Sequence, residues 1–427
     1  MEDTMKNLEL NTSKSFETRN LPIHRWYPYL EGFSPLLVKD LIEKYTEKGD
    51  LVFDPFVGSG TTLVEALKLE RVAKGLDLNP LAVLMSRVKG NWKVDYRVFK
   101  EERKELFLDL FKLFPTIESK RTLLGMFIEK SQEKLEFDKK EIEIIKGDNW
   151  YSDTISKKLW VIKKRIMEIS NEEIRNIFLL GLISILFDVS NLRRDGSTTM
   201  KMKKQQVEDA PVLSLFKRQM EMIESDIKNF PIKNVCAEVW EGDIKNLHQH
   251  MNENTVDFIV TSPPYIQARG YLTSYRFALI LLNSMKYKKE RNELNKRIIG
   301  HPPHLSDVKL DLDKFTLTSQ TIEKLEENNA FESAKIIRNY AKSMFRALHE
   351  INRILRGNRR MAMTIGNTVH SNVEIKLNEI IIELTQDQNF SLIKREKIRD
   401  LPTTTILNGW FGKGASEELL IFKKIGS

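Results

Sequence analysis

Apolar positions along the chain recur with two periods, and their alternation sets the first expectation of the fold. Residues 34–47 carry apolar side chains at helical spacing behind Ser34, a capping residue type, and Pro35, which suits a first helical turn. Residues 50–54 (Asp-Leu-Val-Phe-Asp) are a short continuous apolar run, read as a buried strand, and a glycine-rich turn leads from it into a helix over 62–69. Residues 72–77 (Val-Ala-Lys-Gly-Leu-Asp) form a second strand that ends before Asn79-Pro80. Strand, turn, helix and strand in such short succession predict a βαβ unit of a parallel sheet.

From about 95 to 229 the pattern changes to helix-period runs rich in Lys and Glu, with few Gly or Pro. Strand-like runs return at 235–242, 256–260 and 361–365 and close at 418–422, and a second charged stretch interrupts them at about 286–330. No internal repeat or low-complexity tract is present. The expected architecture is α/β: one doubly wound, mostly parallel sheet with mainly helical insertions. Residues 1–94 form the first part of the core, 95–230 a helical insertion, and 231–427 the remainder, with the smaller insertion at about 286–330. The most apolar stretch, 177–187, falls short of the ~20 residues a membrane span needs, and Arg175 and Asp188 bracket it. It reads as a buried core helix.

Composition adds less. A net charge of +8 and a pI near 9.1 on 427 residues suit an anionic partner without specifying a fold. The hydrophobic share of 41% and the charged share of 30% are those of a globular chain. The single cysteine, Cys236, excludes a disulfide framework and a cysteine metal cluster within the chain. It lies in the run Val235-Cys236-Ala237-Glu238-Val239-Trp240, read as a strand, and is expected to be a small buried hydrophobe. The first residues lack a basic and an apolar signal region, so a cytoplasmic location is expected.

Two strings carry the chemistry. Asp54-Pro55-Phe56-Val57-Gly58-Ser59-Gly60-Thr61-Thr62 follows a strand directly. Its glycines let the backbone turn tightly and approach a ligand at the carboxyl edge of the sheet, where open α/β folds bind cofactors. It is not a phosphate loop, because Gly60 is followed by Thr61-Thr62 and not by Lys-Ser/Thr. Thr261-Ser262-Pro263-Pro264-Tyr265 follows the apolar strand ending at Val260. Two prolines remove two N–H donors, so the Pro263 carbonyl and the Ser262 side chain can serve a site as acceptors, and Tyr265 adds a flat face for a planar ring. Acceptors for an amino group beside an aromatic for its ring are what presentation of an exocyclic amine requires. Read alone, Pro-Pro-Tyr is also a polyproline ligand; its place after a buried strand argues against that.

Together the strings resemble the amino-methyltransferase family of DNA methylases, which modify adenine N6 or cytosine N4. The resemblance implies a sheet of about seven strands of Rossmann-like methyltransferase type with S-adenosylmethionine at its carboxyl edge. It implies that Asp54, Pro55, Phe56, Gly58, Ser59, Gly60, Thr61 and Thr62 line the cofactor with Thr261, and that Phe33 in Phe33-Ser34-Pro35 packs at its methionine end. Asp77 matches the acid that grips the ribose hydroxyls, Asp243 in Gly242-Asp243 the contact to the adenine ring, and Gly366-Asn367 a later structural motif of the core. The catalytic motif is Ser262, Pro263, Pro264 and Tyr265, with Asp54 expected to hold the cofactor's ammonium. Within the family Ser-Pro-Pro-Tyr goes mostly with cytosine N4 and Asp-Pro-Pro-Tyr with adenine N6, so cytosine is favoured and adenine is the alternative. The order departs from the usual one for this wording, because here the cofactor motif comes first. An RNA or protein methyltransferase and a non-catalytic DNA-binding subunit stand as further alternatives.

Methylation of ring carbon 5 is excluded, since it needs an attacking thiolate and Cys236 lies outside any Pro-Cys loop. Arg193, Arg194, Lys201, Lys203 and Lys204 surround a Gly-Ser-Thr-Thr turn, a flexible basic loop suited to phosphates of double-stranded DNA or to solvent alone. The helices flanking it are candidates for target recognition, followed by the 286–330 segment. Tyr271, Tyr275 and Arg276 follow the catalytic motif and line either a base pocket or a core helix, while residues 24–27 (His-Arg-Trp-Tyr) are a candidate cover for the cofactor. His301 and His304 lack partners at metal-ligand spacing, and 412–414 reads as a turn; no metal is expected. A cognate restriction endonuclease is the partner to seek.

Overall fold

A computed structural model describes residues 21–29, 32–114, 136–195, 199–230, 235–266, 275–282, 287–300, 306–371, 373–400 and 416–426. A short 3-10 turn, His24–Trp26, precedes α1 (Pro35–Tyr45), β1 (Leu51–Asp54), α2 (Thr61–Lys68), β2 (Val72–Asp77) and α3 (Pro80–Lys89). Next come the helices α4 (Tyr96–Leu113), α5 (Lys139–Lys146), α6 (Asp153–Met167) and α7 (Glu172–Ser184), the hairpin β3 (Leu192–Asp195) and β4 (Thr199–Met202), and α8 (Val212–Asn229). The core resumes with β5 (Glu238–Glu241) and β6 (Val256–Thr261), then α9 (Arg276–Leu282), α10 (Tyr287–Arg297), α11 (Thr316–Glu327) and α12 (Phe331–Ile354). It closes with β7 (Leu355–Gly366), the short pair β8 (Thr368–His370) and β9 (Val373–Ile375), α13 (Leu377–Asp387), β10 (Phe390–Asp400) and β11 (Ser416–Lys424).

Seven strands form one sheet in the order β10-β11-β7-β6-β1-β2-β5. β1, β2, β5, β6 and β7 pair in parallel, and β11 runs antiparallel to both its neighbours. The fold is therefore Rossmann-like α/β, mostly parallel, with a reversed strand near one edge. Its strand order fans out from β1 in one direction to β2 and β5, and from β6 in the other to β7. The switch point, where such sheets open a ligand crevice at their carboxyl ends, lies between β1 and β6. The Asp54 and Ser262 strings leave the sheet at these two neighbouring ends.

Each central strand is apolar on both faces because helices cover both. β6 is buried along its whole length, and its one acid, Asp257, is matched at the amino end by Arg356, Arg359 and the Leu51 N–H. The apolar 177–187 stretch is largely the buried helix α7, which packs on α3, α6 and α8. Phe99 stacks on Phe178 at 5.4 Å and Phe107 meets Phe216 at 5.3 Å, so the helices between β2 and β5 share the core of that face. Among the described residues no helix is long and apolar enough to cross a membrane.

Two local expectations are corrected. Cys236 is exposed and outside the strand, which begins at Glu238. Residues 235–237 instead bond to the end of α3, with Trp92 N–H to the Val235 carbonyl at 3.0 Å and Ala237 N–H to the Gly90 carbonyl at 2.8 Å. The basic segment is no flexible loop along its flanks: β3 and β4 form an antiparallel hairpin in which Arg193 faces Lys201.

The turn at His24–Trp26 is fastened by one buried acid of α8. Asp226 accepts from Ile23 N–H at 3.0 Å, Trp26 Nε1 at 2.9 Å and the Arg25 guanidinium. Asp226→Ala leaves the buried Ile23 and Trp26 donors unmatched and is expected to cost about 3 kcal/mol, read as a lower urea midpoint with unchanged slope.

Candidate active site

The turn after β1 is shaped by two left-handed glycines, Gly58 at φ 50° and Gly60 at φ 82°. A Cβ on Gly60 would sit 3.0 Å from the Ser86 Cα of α3, so an alanine there is both strained and crowded. Val57 N–H bonds the Leu76 carbonyl at 3.0 Å and Ser86 Oγ bonds the Gly58 carbonyl at 3.0 Å, which pins the turn to β2 and α3.

Asp54, fully buried at the end of β1, joins the two sequence strings. It accepts from Thr261 Oγ1 at 2.7 Å, Thr62 Oγ1 at 2.8 Å and Phe56 N–H at 3.1 Å. Burial pushes its carboxyl up to about 6 against the pull of these bonds. The bonds leave one lone-pair position, on Oδ2.

Asp77 ends β2. Its Oδ2 accepts from Gly58 N–H at 2.9 Å and its Oδ1 from Asn79 N–H at 2.8 Å, and Leu78 N–H bonds the carboxylate as well, so one lone-pair position remains. Desolvation raises it to about 6 as well. Asp243 follows β5, with the preceding Gly242 N–H on the Asp77 carbonyl at 2.9 Å. It caps the 3-10 turn Ile244–Gln249 through Lys245 N–H at 3.1 Å, with Lys245 Nζ and Arg297 Nε at 3.9 and 3.8 Å. Three acids thus stand on the carboxyl edge, at or just beyond the ends of three adjacent strands.

Thr261, buried, is the last residue of β6, and the chain then leaves the sheet through half-buried Ser262, buried Pro263 and half-buried Pro264 and Tyr265. Phe56 and Tyr265 pack against the same apolar cluster. The Tyr265 hydroxyl donates to Glu417 Oε1 of β11 at 2.9 Å. Phe33 packs at the entry to α1 against the other cluster.

Sequence reading missed Tyr29. Its ring lies over the glycine turn, 3.4 Å from where a Gly58 Cβ would stand, and stacks on Tyr275 at 5.2 Å and 8°. His24, Arg25 and Trp26 are engaged with Glu65, Asp226 and Gln219; Tyr27 lies 6.4 Å from Tyr275, beside the same stack. Arg276 lies over the Trp150 ring at 4.4 Å. Lys203 Nζ donates to the Ser190 carbonyl at 2.7 Å, tying the hairpin base, while Arg193, Lys201 and Lys204 are exposed. Arg194 belongs to β3, its side chain outside the described residues, as are Tyr271, His301, His304 and 412–414. Among the described residues no group of three or more His, Cys, Asp or Glu could hold a metal ion.

At the switch point the glycine turn after β1 and the carboxylates Asp54, Asp77 and Asp243 stand at the carboxyl ends of the strands, beside the Ser262-Pro263-Pro264-Tyr265 segment that follows β6. The N6/N4 methyltransferase family model, described as DNA methylase, matches residues 12–87. The chain is 27% identical over 297 residues to the Type II methyltransferase M.BsoBI of Geobacillus stearothermophilus, which covers 62% of this chain and 53% of that protein. It is 22% identical over 387 residues to the Type II methyltransferase M.MvaI of Kocuria varians, covering 86% and 81%. A third relative, M.MjaII of Methanocaldococcus jannaschii, is 24% identical over 380 residues, covering 70% and 71%. The chain thus spans about half the length of the first relative and more of the others. These matches support the resemblance of the chain to the amino-methyltransferase family of DNA methylases, which covers both adenine N6 and cytosine N4.

Its cofactor is S-adenosylmethionine. The residues fit it: the remaining lone pair of Asp77 suits a ribose hydroxyl, and the acid-lined edge suits a molecule carrying a sulfonium and an ammonium. Hydroxyl donors favour the ionised carboxylate, so affinity is held above the folded value of about 6 and lost as pH falls through it. Titration of cofactor binding from pH 8 to 5 is expected to show this loss, and Asp77→Asn to flatten it.

Proposed function

We propose that the chain methylates cytosine N4 in double-stranded DNA after the base is flipped out of the helix. The observation that carries this reading is the 2.7 Å bond from Thr261 Oγ1 to Asp54, which ties the amine-presenting loop to the cofactor turn across the β1/β6 switch point. S-adenosylmethionine supplies a methyl already activated on sulfur, so the chain's work is alignment. Ser262 and the Pro263 carbonyl accept the amino N–H groups and favour a more tetrahedral, nucleophilic nitrogen. Tyr265 stacks on the extruded ring. Asp77 takes a ribose hydroxyl, Asp243 and Phe33 bound the adenine and methionine ends, and Asp54 offers its remaining lone pair to the ammonium while bracketing the two loops.

Ser262 in place of an acid favours cytosine N4 over adenine N6. DNA contact falls to the exposed Arg193, Lys201 and Lys204 of the β3–β4 hairpin with Arg194 and Lys203 beside them, and to Tyr271 and Arg276 shortly after the catalytic motif. Target reading is assigned to the 95–230 segment. The names of the relatives support a restriction–modification role, with a cognate endonuclease as partner.

The test is transfer of labelled methyl from S-adenosylmethionine to duplex DNA, followed by digestion to nucleosides. Label in N4-methylcytosine is expected. Label in N6-methyladenine overturns the choice of base, and label in RNA but not DNA overturns the substrate.

A further inference from the structure

Tyr265 does not end at its ring. Its hydroxyl donates to Glu417 Oε1 at 2.9 Å, and the other oxygen of that carboxylate accepts from Arg399 Nε at 2.7 Å. The arrangement is built by sheet register: Arg399 of β10 lies directly opposite Glu417 of β11, which in turn lies opposite Gly366 at the end of β7. Glu417 is 8% exposed. Enclosing a carboxylate at the end of a strand is costly, and an apolar residue would serve the sheet at least as well. The fold itself therefore gives no reason for an acid here, whereas the phenol does: a charged acceptor bonded to an aromatic hydroxyl fixes the far end of the ring and so its plane.

We infer that Glu417, oriented by Arg399, is a positioning residue that sets the tilt of the Tyr265 ring for stacking on the target base. The inference rests on the reading of Tyr265 as the stacking residue. It acts on a geometry that matters, because a small misplacement of a near-attack arrangement costs much of the rate. The reversed strand β11 thereby acquires a role in the site although it contributes nothing to either sequence motif.

The experiment compares Glu417→Gln, Tyr265→Phe and the double variant with the full-length wild-type chain. Each single variant is expected to lower kcat about tenfold, the effect of losing one bond to a charged acceptor. The double variant should be no slower than either single one, and cofactor affinity should stay within about twofold. A second readout is the fluorescence of 2-aminopurine placed at the target position: both single variants should change the quenching of the extruded base by the tyrosine. Multiplicative losses in the double variant overturn the inference, as does wild-type turnover in Glu417→Gln. Weakened cofactor binding or a large drop in stability in Glu417→Gln also overturns it, by showing a structural role. A wild-type chain that transfers no methyl to DNA is a different failure: it removes the underlying reading, and this inference with it.

Discussion

Tyr265→Ala is expected to lower the single-turnover rate of methyl transfer about 100-fold and to leave cofactor affinity nearly unchanged. Stacking of a base on an aromatic side chain is worth about 1–3 kcal/mol by alanine substitution, and an unheld amine loses alignment as well. Tyr265 is half-buried at the rim of the site, and truncating it leaves Glu417 still paired with Arg399, so the fold should survive. The cofactor turn is held by other bonds: Asp54 to Thr62 and Thr261, Asp77 to Gly58, and Ser86 to Gly58. Tyr265→Phe keeps the flat face and should lose only about tenfold, separating stacking from the phenol's bond to Glu417. Cofactor binding by calorimetry checks the other half. A Tyr265→Ala variant that loses the cofactor would show that the residue serves the cofactor turn and not the base.

How much of this was legible in sequence depended on range. The first βαβ unit came out within a residue or two, because a continuous apolar run, a glycine turn and a helical repeat are local signals; β2 was bounded at Val72 and Asp77 as found. β6 was legible for the same reason. β10 was missed: its residues alternate between half-exposed and exposed, and charges fill it. Those charges find their partners only across the sheet, Arg395 on Glu418 and Arg399 on Glu417. The β3–β4 hairpin was read as a loop because Leu-Arg-Arg-Asp and Thr-Met-Lys-Met are poor strand formers whose pairing comes from context. Cys236 was misread because an apolar run cannot distinguish a strand from an exposed link bonded to the end of α3. In the site, the strings themselves were visible. The contacts that join them were not, since Thr261 to Asp54 and Tyr265 to Glu417 span 207 and 152 positions. Tyr29 over Gly58 carries no sequence signal at all.

Asp77→Ala is expected to weaken S-adenosylmethionine binding about 10- to 150-fold. A hydroxyl bond to a charged acceptor is worth about 1.5–3 kcal/mol, and the remaining lone pair of Asp77 stands at the end of β2 to receive it. The effect on stability has the opposite tendency. Burial raises the Asp77 carboxyl from 3.8 to about 6, so the folded chain binds the proton more tightly than the unfolded one. This contribution to stability is full below the unfolded value, shrinks as pH rises toward about 6 and is gone above it. At pH 8 the cofactor-free protein therefore carries an ionised group that its fold disfavours. Asp77→Asn removes that charge but turns its NH2 toward one of the backbone donors, so the two effects on the stability of the cofactor-free protein oppose each other while binding still falls. Urea unfolding with and without cofactor separates the two: the gain in midpoint on adding S-adenosylmethionine should be large for the wild type and nearly absent for Asp77→Asn. An undiminished gain would remove Asp77 from the ribose and leave it only the bonds from its backbone donors.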